Sequence, residues 1–329
     1  MKNQWCGFPY PVATTEGKEF FHVSKNKVRI LGRAVTKRNL ITWGWAYLFI
    51  APTLLGVLIL NLWGVIQSIY YSFHEAKGFA PPRFIGLDNY IRLFSDSEVW
   101  NSLKNVFIYA LITVPVGVTL SLILAVLLNV KIKGKSFFRC IYFLPVISAP
   151  AAVALVWKWL YNKDFGLFNQ ILQVFGISGP DWLGNVAMAM PSVAIVGIWT
   201  MVGYNMILLL AGLQDVPSEL YEASKIDGAG SLAKFFKITI PMISPTLFFV
   251  IVTTIISALQ VFDLLYMMFK PSAPSFQSVE SIVYLFYRYT FTNYNKGYGS
   301  TIVVLLFVII MIITGLQLKI QKKWVYYND

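Results

Sequence analysis

The chain has 329 residues, of which 57% are hydrophobic, 16% aromatic and only 13% charged, where a soluble domain carries about a quarter charged residues. Such a composition excludes an ordinary soluble enzyme and points to an all-α integral membrane protein. The formal charge of +12 raises nucleic acid as a partner, but the basic residues fall in the connections between apolar runs, where they set topology, so no nucleic-acid partner is expected.

Residues 1–39 read as a cytoplasmic tail. It is rich in Lys and Arg (Lys18, Lys25, Lys27, Arg29, Arg33, Lys37 and Arg38 among them) and suited to an anionic lipid surface. No apolar stretch there precedes a small-residue cleavage site, so no signal peptide is expected. Six apolar runs follow, at about 45–71, 103–129, 140–161, 188–213, 247–269 and 299–320. Each is long enough to cross a bilayer as a helix, which takes about 20 residues. Basic residues concentrate before the first run, in the second connection (Lys131, Lys133, Lys135, Arg139), in the fourth (Lys225, Lys234, Lys237) and after the sixth (Lys319, Lys322, Lys323). By the positive-inside rule both termini, including the short tail 326–329, are cytoplasmic.

Pro115, Pro145 and Pro150 lie within the runs, where proline permits a bend if neighbours or water satisfy the freed carbonyls. Trp157, Trp159 and Tyr161 close the third run and are expected in an interfacial aromatic belt. Cys6 and Cys140 are far apart in sequence, and His22 and His74 stand alone. Neither a disulfide framework nor a metal site is expected, and no cofactor is implied.

The fourth connection, 214–246, is much longer than the roughly 2 to 8 residues usual between bundled helices. Pro217, Ser218 and Glu219 read as a helix start and Gly228 and Gly230 as its stop. Ser231 is a candidate cap for a second helix with Leu232, Phe235, Phe236 and Ile238 on one face. Pro241 and Pro245 punctuate the return to the fifth run. Two short helices with a glycine bend make either a knob for a partner's groove or an interfacial helix that touches only lipid.

Within that connection Glu222-Ala223-Ser224, Asp227-Gly228-Ala229 and Ile240-Pro241 resemble the E-A-A, D-G-A and I-x-L-P signature of membrane subunits of binding-protein-dependent ABC importers. Ser224 replaces the second alanine. Over residues 40–325 the chain is similar to carbohydrate permeases of the maltose-transporter larger-subunit type, in "PVISAPAAVALVWKWLYNKDFGLFN" and "GLQDVPSELYEASKIDGAG". It matches the shorter, six-span members. The resemblance implies a type I importer permease fold in a bacterial cell membrane. It also implies a coupling loop at 218–241 that seats in an ATPase, with Glu222 as the polar contact and Gly228 as the bend. Implied partners are a second homologous permease in a heterodimer, an ABC ATPase dimer, an extracytoplasmic solute-binding protein and a sugar.

No energy-supplying machinery is legible. Gly134-Lys135-Ser136 lacks the glycine five residues earlier, where Asn129 stands, so it makes no phosphate cradle. Gly228-Ala229-Gly230 follows no strand and fails as a dinucleotide fingerprint. The chain is expected to be a transport subunit with neither catalytic residues nor a nucleotide site. For cargo, Asp263 in the fifth run, with Ser257 and Gln260 at steps of three, offers a polar face. Trp199 and Tyr204 in the fourth run match the positions of sugar-contacting aromatics in the maltose-type family; the alternatives are packing for these two rings and a hydrogen bond to a neighbouring helix for Asp263. A glycerol-phosphate carrier should show an unpaired basic residue at midplane, and an ion-coupled secondary transporter should show paired halves with broken helices. Neither pattern is found in the sequence.

Overall fold

The computed structural model describes residues 27–30, 33–130 and 134–326, with side chains from residue 41 onward. Lys131, Lys133 and most of the proposed tail at 1–39 lie outside what can be described. The chain divides into two units, 1–64 and 65–329. In the first, β1 (Lys27–Ile30) pairs antiparallel with β2 (Arg33–Thr36), and α1 (Lys37–Gly56) leads through a π-helical turn, Val57–Leu62.

The second unit opens in α2 (Trp63–Ser72) and a short hairpin of β3 (His74–Glu75) and β4 (Arg83–Phe84). It continues through α3 (Asp88–Ser95), α4 (Ser97–Asn129), α5 (Lys135–Ile147), α6 (Pro150–Leu160), α7 (Leu167–Val174) and α8 (Val186–Gln214). Then come α9 (Ser218–Ile226), α10 (Ser231–Lys234), α11 (Ile240–Met242), α12 (Ser244–Leu259), α13 (Asp263–Met268), α14 (Ile282–Tyr287) and α15 (Lys296–Trp324). Among the described residues four helices are long and apolar enough to cross a membrane, or six if each of two bent pairs is one span.

The bundle is organised around α4 and α8, which pack along most of their length and share α12 as a neighbour. Asp96 caps α4 by accepting from the Glu98 amide, and Asn185 caps α8 by accepting from the Ala187 amide. The buried side of α4 repeats at helical spacing: Val99, Leu103, Val106, Tyr109, Thr113, Gly117, Ser121, Ala125 and Leu128. In lipid, helices associate through close packing and hydrogen bonds, because tails and leucines are equally apolar. Small residues on α8 permit that approach. A Cβ at Gly203 would run into the Tyr142 carbonyl oxygen of α5, and one at Gly197 into the Tyr109 hydroxyl of α4. Polar cross-links add to this, Asn205 Nδ2 donating to Thr254 Oγ1 at 3.0 Å and Ser121 Oγ to the Val202 carbonyl at 3.2 Å.

Three sequence expectations about spans need correction. The third span is two helices, α5 and α6, meeting at 100° across Ser148 and Ala149. Pro150 sits at the first turn of α6, where it has no amide to satisfy, rather than inside a continuous helix. The fifth span ends at Leu259, breaks over Gln260–Phe262 and resumes as α13, which packs on α6. The second span begins at Ser97, because the polar segment before residue 103 is held by the Asp96 cap.

The aromatic-belt expectation is also only partly right. Tyr161 is buried and donates to the Ser192 carbonyl, and Trp157 packs against Tyr161, Phe168 and Trp199. Trp159 alone of the three is exposed. This cluster fastens the outer end of α6 to α8.

The outer connection between α13 and α15 is folded, which the sequence reading left blank. Arg288 there pairs with Glu98 of α4 and lies 3.5 Å from Glu280, while Arg92 lies 3.9 Å over the Tyr298 ring, whose hydroxyl donates to Asp96. The Glu280 carboxyl is buried and one of its oxygens has no hydrogen-bond partner. Burial raises its pKa above the ordinary 4.5, opposed by Arg288 and assisted by Glu98.

Three outcomes are expected. Gly203→Val should lower stability in detergent by about 3 kcal/mol or more, seen as an earlier thermal transition, because a carbonyl oxygen cannot move aside. For Glu280, a raised folded pKa means stability present below its unfolded value and lost as pH rises through the folded one. Glu280→Gln should therefore flatten the pH dependence of thermal unfolding above the ordinary carboxyl value of 4.5 and raise the transition at pH 7. Arg288→Met should cost about 2 kcal/mol, between exposed and fully buried ion pairs.

Candidate functional site

The two breaks in the bundle meet at one place. Ser148 and Pro150, at the α5–α6 break, and Ser257, Gln260 and Asp263, at the α12–α13 break, line a cavity of about 350 Å³, together with Tyr109 of α4 and Thr200 of α8. Non-helical backbone at membrane depth persists only where it is buried in protein or lines a water-filled space, since lipid leaves peptide groups unsatisfied. Each break ends a helix and leaves its last carbonyls without helical donors. The loss falls on the cavity wall, where water or cargo can make it good.

Asp263 heads α13, and its side chain, like those of Ser257 and Gln260, is exposed. The carboxylate thus lies in the first turn of a short helix, the end that favours negative charge. The lining holds this one acidic residue and no basic one. Tyr109 is buried, and its ring, seated over Gly197, closes the side toward α4. Among the described residues no three His, Cys, Asp or Glu side chains converge as metal ligands would.

The sequence-predicted cargo residues are only partly gathered. Ser257, Gln260 and Asp263 come together on the cavity. Tyr204 is half-exposed and one turn inward of Thr200 and Met201, on the same face of α8. Trp199 does not join them. At 100° per residue it points nearly opposite to Gly197 and Met201 and lies in an apolar groove with Leu120, Ile141 and Val202, its ring edge-on to Trp157 at 5.5 Å. Sequence reasoning missed Tyr109 and Thr200, which look like ordinary helix residues, and Ser148. Pro145 and Pro150 flanking Ser148 were the available signal.

The connection between α8 and α12 is built as two helices and a bend. α9 ends at Ile226; Gly228, two residues on, has a φ of +71° that only glycine adopts freely, and the Ala229 amide donates to the Ser224 carbonyl at 2.9 Å. Gly230 is extended and caps the next helix in place of Ser231, which is its first residue and makes no side-chain cap. α10 runs through a π-helical turn, Phe235–Thr239, into α11, and the chain bends by 71° before α12. Pro241 falls within the helical run, at the first turn of α11. Ser224 is buried and donates to the Tyr221 carbonyl, while the Tyr221 hydroxyl lies 3.0 Å from Thr239 Oγ1, tying the two arms. Glu222, Ala223 and Asp227 are exposed and Ala229 half-buried. Around them Ile226, Leu232 and Phe236 are 88%, 76% and 64% exposed.

Residues 97–326 match the family model described as "Binding-protein-dependent transport system inner membrane component". The chain belongs to this family. It is therefore the membrane component, or permease chain, of an ABC transport system, a multi-pass protein of a family that works with an ATPase and a solute-binding protein. It is 34% identical over 301 residues to the probable ABC transporter permease protein YesP of Bacillus subtilis, covering 90% of this chain and 95% of that one. It is also 34% identical over 277 residues to the trehalose/maltose transport system permease protein MalF of Thermococcus litoralis, covering 84% and 93%. With the sn-glycerol-3-phosphate permease UgpA of Agrobacterium fabrum it shares 32% over 285 residues, covering 86% and 96%. A chain of the bacterial alginate ABC transporter, solved with an alginate pentasaccharide-bound periplasmic protein, superposes with a TM-score of 0.77 over 87% of this chain at 19% identity, so the permease fold is common to both.

An aqueous cavity beside an apolar groove has a direct signature. With Cys6 and Cys140 replaced by serine, cysteines introduced at Ser257 and Gln260 should react with a membrane-impermeant thiosulfonate at least about tenfold faster than one at Trp199, because thiolate forms only where water reaches. Equal rates, read by mass shift, would place both faces in one environment.

Proposed function

We propose that this chain is one permease subunit of a bacterial ABC importer, forming half of the translocation path for an oligosaccharide or related sugar across the cell membrane. The observation that carries the cargo assignment is the lining of the cavity at the two helix breaks. Hydroxyls of Ser148, Thr200, Ser257 and Tyr109, the Gln260 amide and the Asp263 carboxylate stand beside the Phe262 ring. Mixed donors and acceptors with an apolar face suit a sugar. The trehalose/maltose permease above and the lactose permease LacF of Rhizobium radiobacter, 32% identical over 295 residues, support the same class. Similarity to UgpA keeps glycerol phosphate as the second reading, but a phosphate would meet Asp263 and no cation in this lining.

The energy comes from a separate ATPase dimer, and this chain holds no nucleotide site of its own. A second, homologous permease completes the path in a heterodimer, and an external binding protein delivers cargo. Coupling runs through the 218–241 loop. Glu222, Ala223, Ser224, Asp227, Gly228, Ala229 and Pro241 build the bend, and exposed Ile226, Leu232 and Phe236 supply the apolar contact that a groove on the ATPase would bury, each worth about 1.5–3 kcal/mol. Closure of the ATPase pair moves this knob. Its Tyr221–Thr239 tie makes the two arms move together, and α8 and α12, joined to its two ends, carry the displacement to the cavity.

In proteoliposomes holding the complete complex, Glu222→Ala should cut uptake about tenfold or more, the loss of one charge-assisted hydrogen bond, with membrane insertion intact. Ile226→Asp should prevent co-purification of the ATPase. Wild-type uptake by the first and full retention of the ATPase by the second would refute the coupling role.

A further inference from the structure

Just outside the cavity the chain carries a run of aromatic rings seated on the buried Tyr284, which lies 6.3 Å from Phe262, Tyr266 and Tyr287, with outer faces that the core leaves uncovered. Phe262, a wall residue of the cavity, is its first ring. Tyr266, one turn along α13, stacks on Phe262 with centroids 5.4 Å apart and planes 21° apart. Tyr287, arriving from α14, lies 5.3 Å from both, and Phe291 continues the run 5.4 Å from Tyr287. Two separate segments thus bring their rings to one surface, each by an i, i+4 step that places both on the same side. A packing cluster would bury its faces, yet Tyr266 and Phe291 keep 41% and 57% of their surface exposed. The Tyr266 and Tyr287 hydroxyls are 3.5 Å apart, at the limit of a hydrogen bond, so both retain capacity for another partner.

A lipid-facing belt would explain exposed tyrosines, but it would not begin with a ring shared by a polar cavity, nor with a carboxylate, Asp263, next in the chain to that ring. Exposed aromatic faces, phenolic hydroxyls and a neighbouring carboxylate are the chemistry that holds a pyranose: the ring takes the C–H face, and the polar groups take the hydroxyls. We propose that Tyr266, Tyr287 and Phe291 form a second sugar subsite, continuous through Phe262 with the cavity, that holds a further unit of an oligosaccharide while its leading unit occupies the cavity. This rests on the carbohydrate reading given above. The subsite retains cargo after the binding protein opens, so that each ATP-driven cycle carries sugar rather than running empty.

The test is the number of sugar molecules imported per ATP hydrolysed, in proteoliposomes containing both permeases, the ATPase and the binding protein. The radiolabelled panel is trehalose, maltose, lactose, maltotriose, maltopentaose and an alginate trisaccharide. For the sugar that the wild type imports, Tyr266→Ala and Tyr287→Ala should each lower the ratio about fivefold, the scale of one aromatic stack, while binding-protein-stimulated ATPase activity stays at the wild-type rate. Tyr266→Trp, which keeps a face, should restore it. An unchanged ratio in both alanine variants overturns the subsite and leaves the carbohydrate reading standing. Loss of the second permease on purification of either variant would make the surface a subunit interface, also overturning it. If the wild type imports none of the six sugars, the carbohydrate reading fails and the subsite with it.

Discussion

Peptide groups at membrane depth must be hydrogen-bonded, and lipid offers them nothing. The architecture of this chain follows from where it breaks that requirement. α5 gives way to α6 across Ser148 and Ala149, and α12 to α13 across Gln260–Phe262, and both interruptions face the same cavity. A helix can stop there only because something other than hydrocarbon stands opposite. The polar side chains at the two breaks are therefore consequences of the same cavity that excuses the backbone, and a site for a hydroxyl-rich solute comes at little added cost.

Around that hollow the rest of the bundle is close-packed. Gly197 and Gly203 of α8 let Tyr109 and the backbone of α5 come nearer than any side chain would allow. Buried hydrogen bonds from Asn205 and Ser121 fix α8 against α12 and α4. Beyond it, Arg288 fastens the segment between α13 and α15 to the start of α4, and Arg92 fastens α3 to α15. A rigid frame with a soft centre is what alternating access requires: motion entering at one end is not dissipated in the packed helices and appears at the breaks.

Much of this was legible in the sequence, for identifiable reasons. The apolar runs gave the spans. Gly228 announced its left-handed turn, and the Glu222 to Pro241 pattern identified the family later shown by residues 97–326. Ser257, Gln260 and Asp263 were found because a step of three along an apolar run is conspicuous. The interruption at residue 260 was not, since no glycine or proline marks it; beyond it α13 packs on α6. The side of α8 on which Trp199 lies was not legible either. A residue type and an aligned position say nothing about which way a helix is turned, and the Trp157 ring holds it on the other side. Ion pairs such as Arg288 with Glu98, 190 positions apart, leave no local trace.

Ile226, Leu232 and Phe236 stand almost bare on the inward knob. A subunit made in excess of its motor would display them to the cytosol as sticky surface. Such orphans are what proteases and chaperones recognise. In the coupling role proposed above, the same three side chains that receive force would also tie the cellular abundance of this chain to that of its partner.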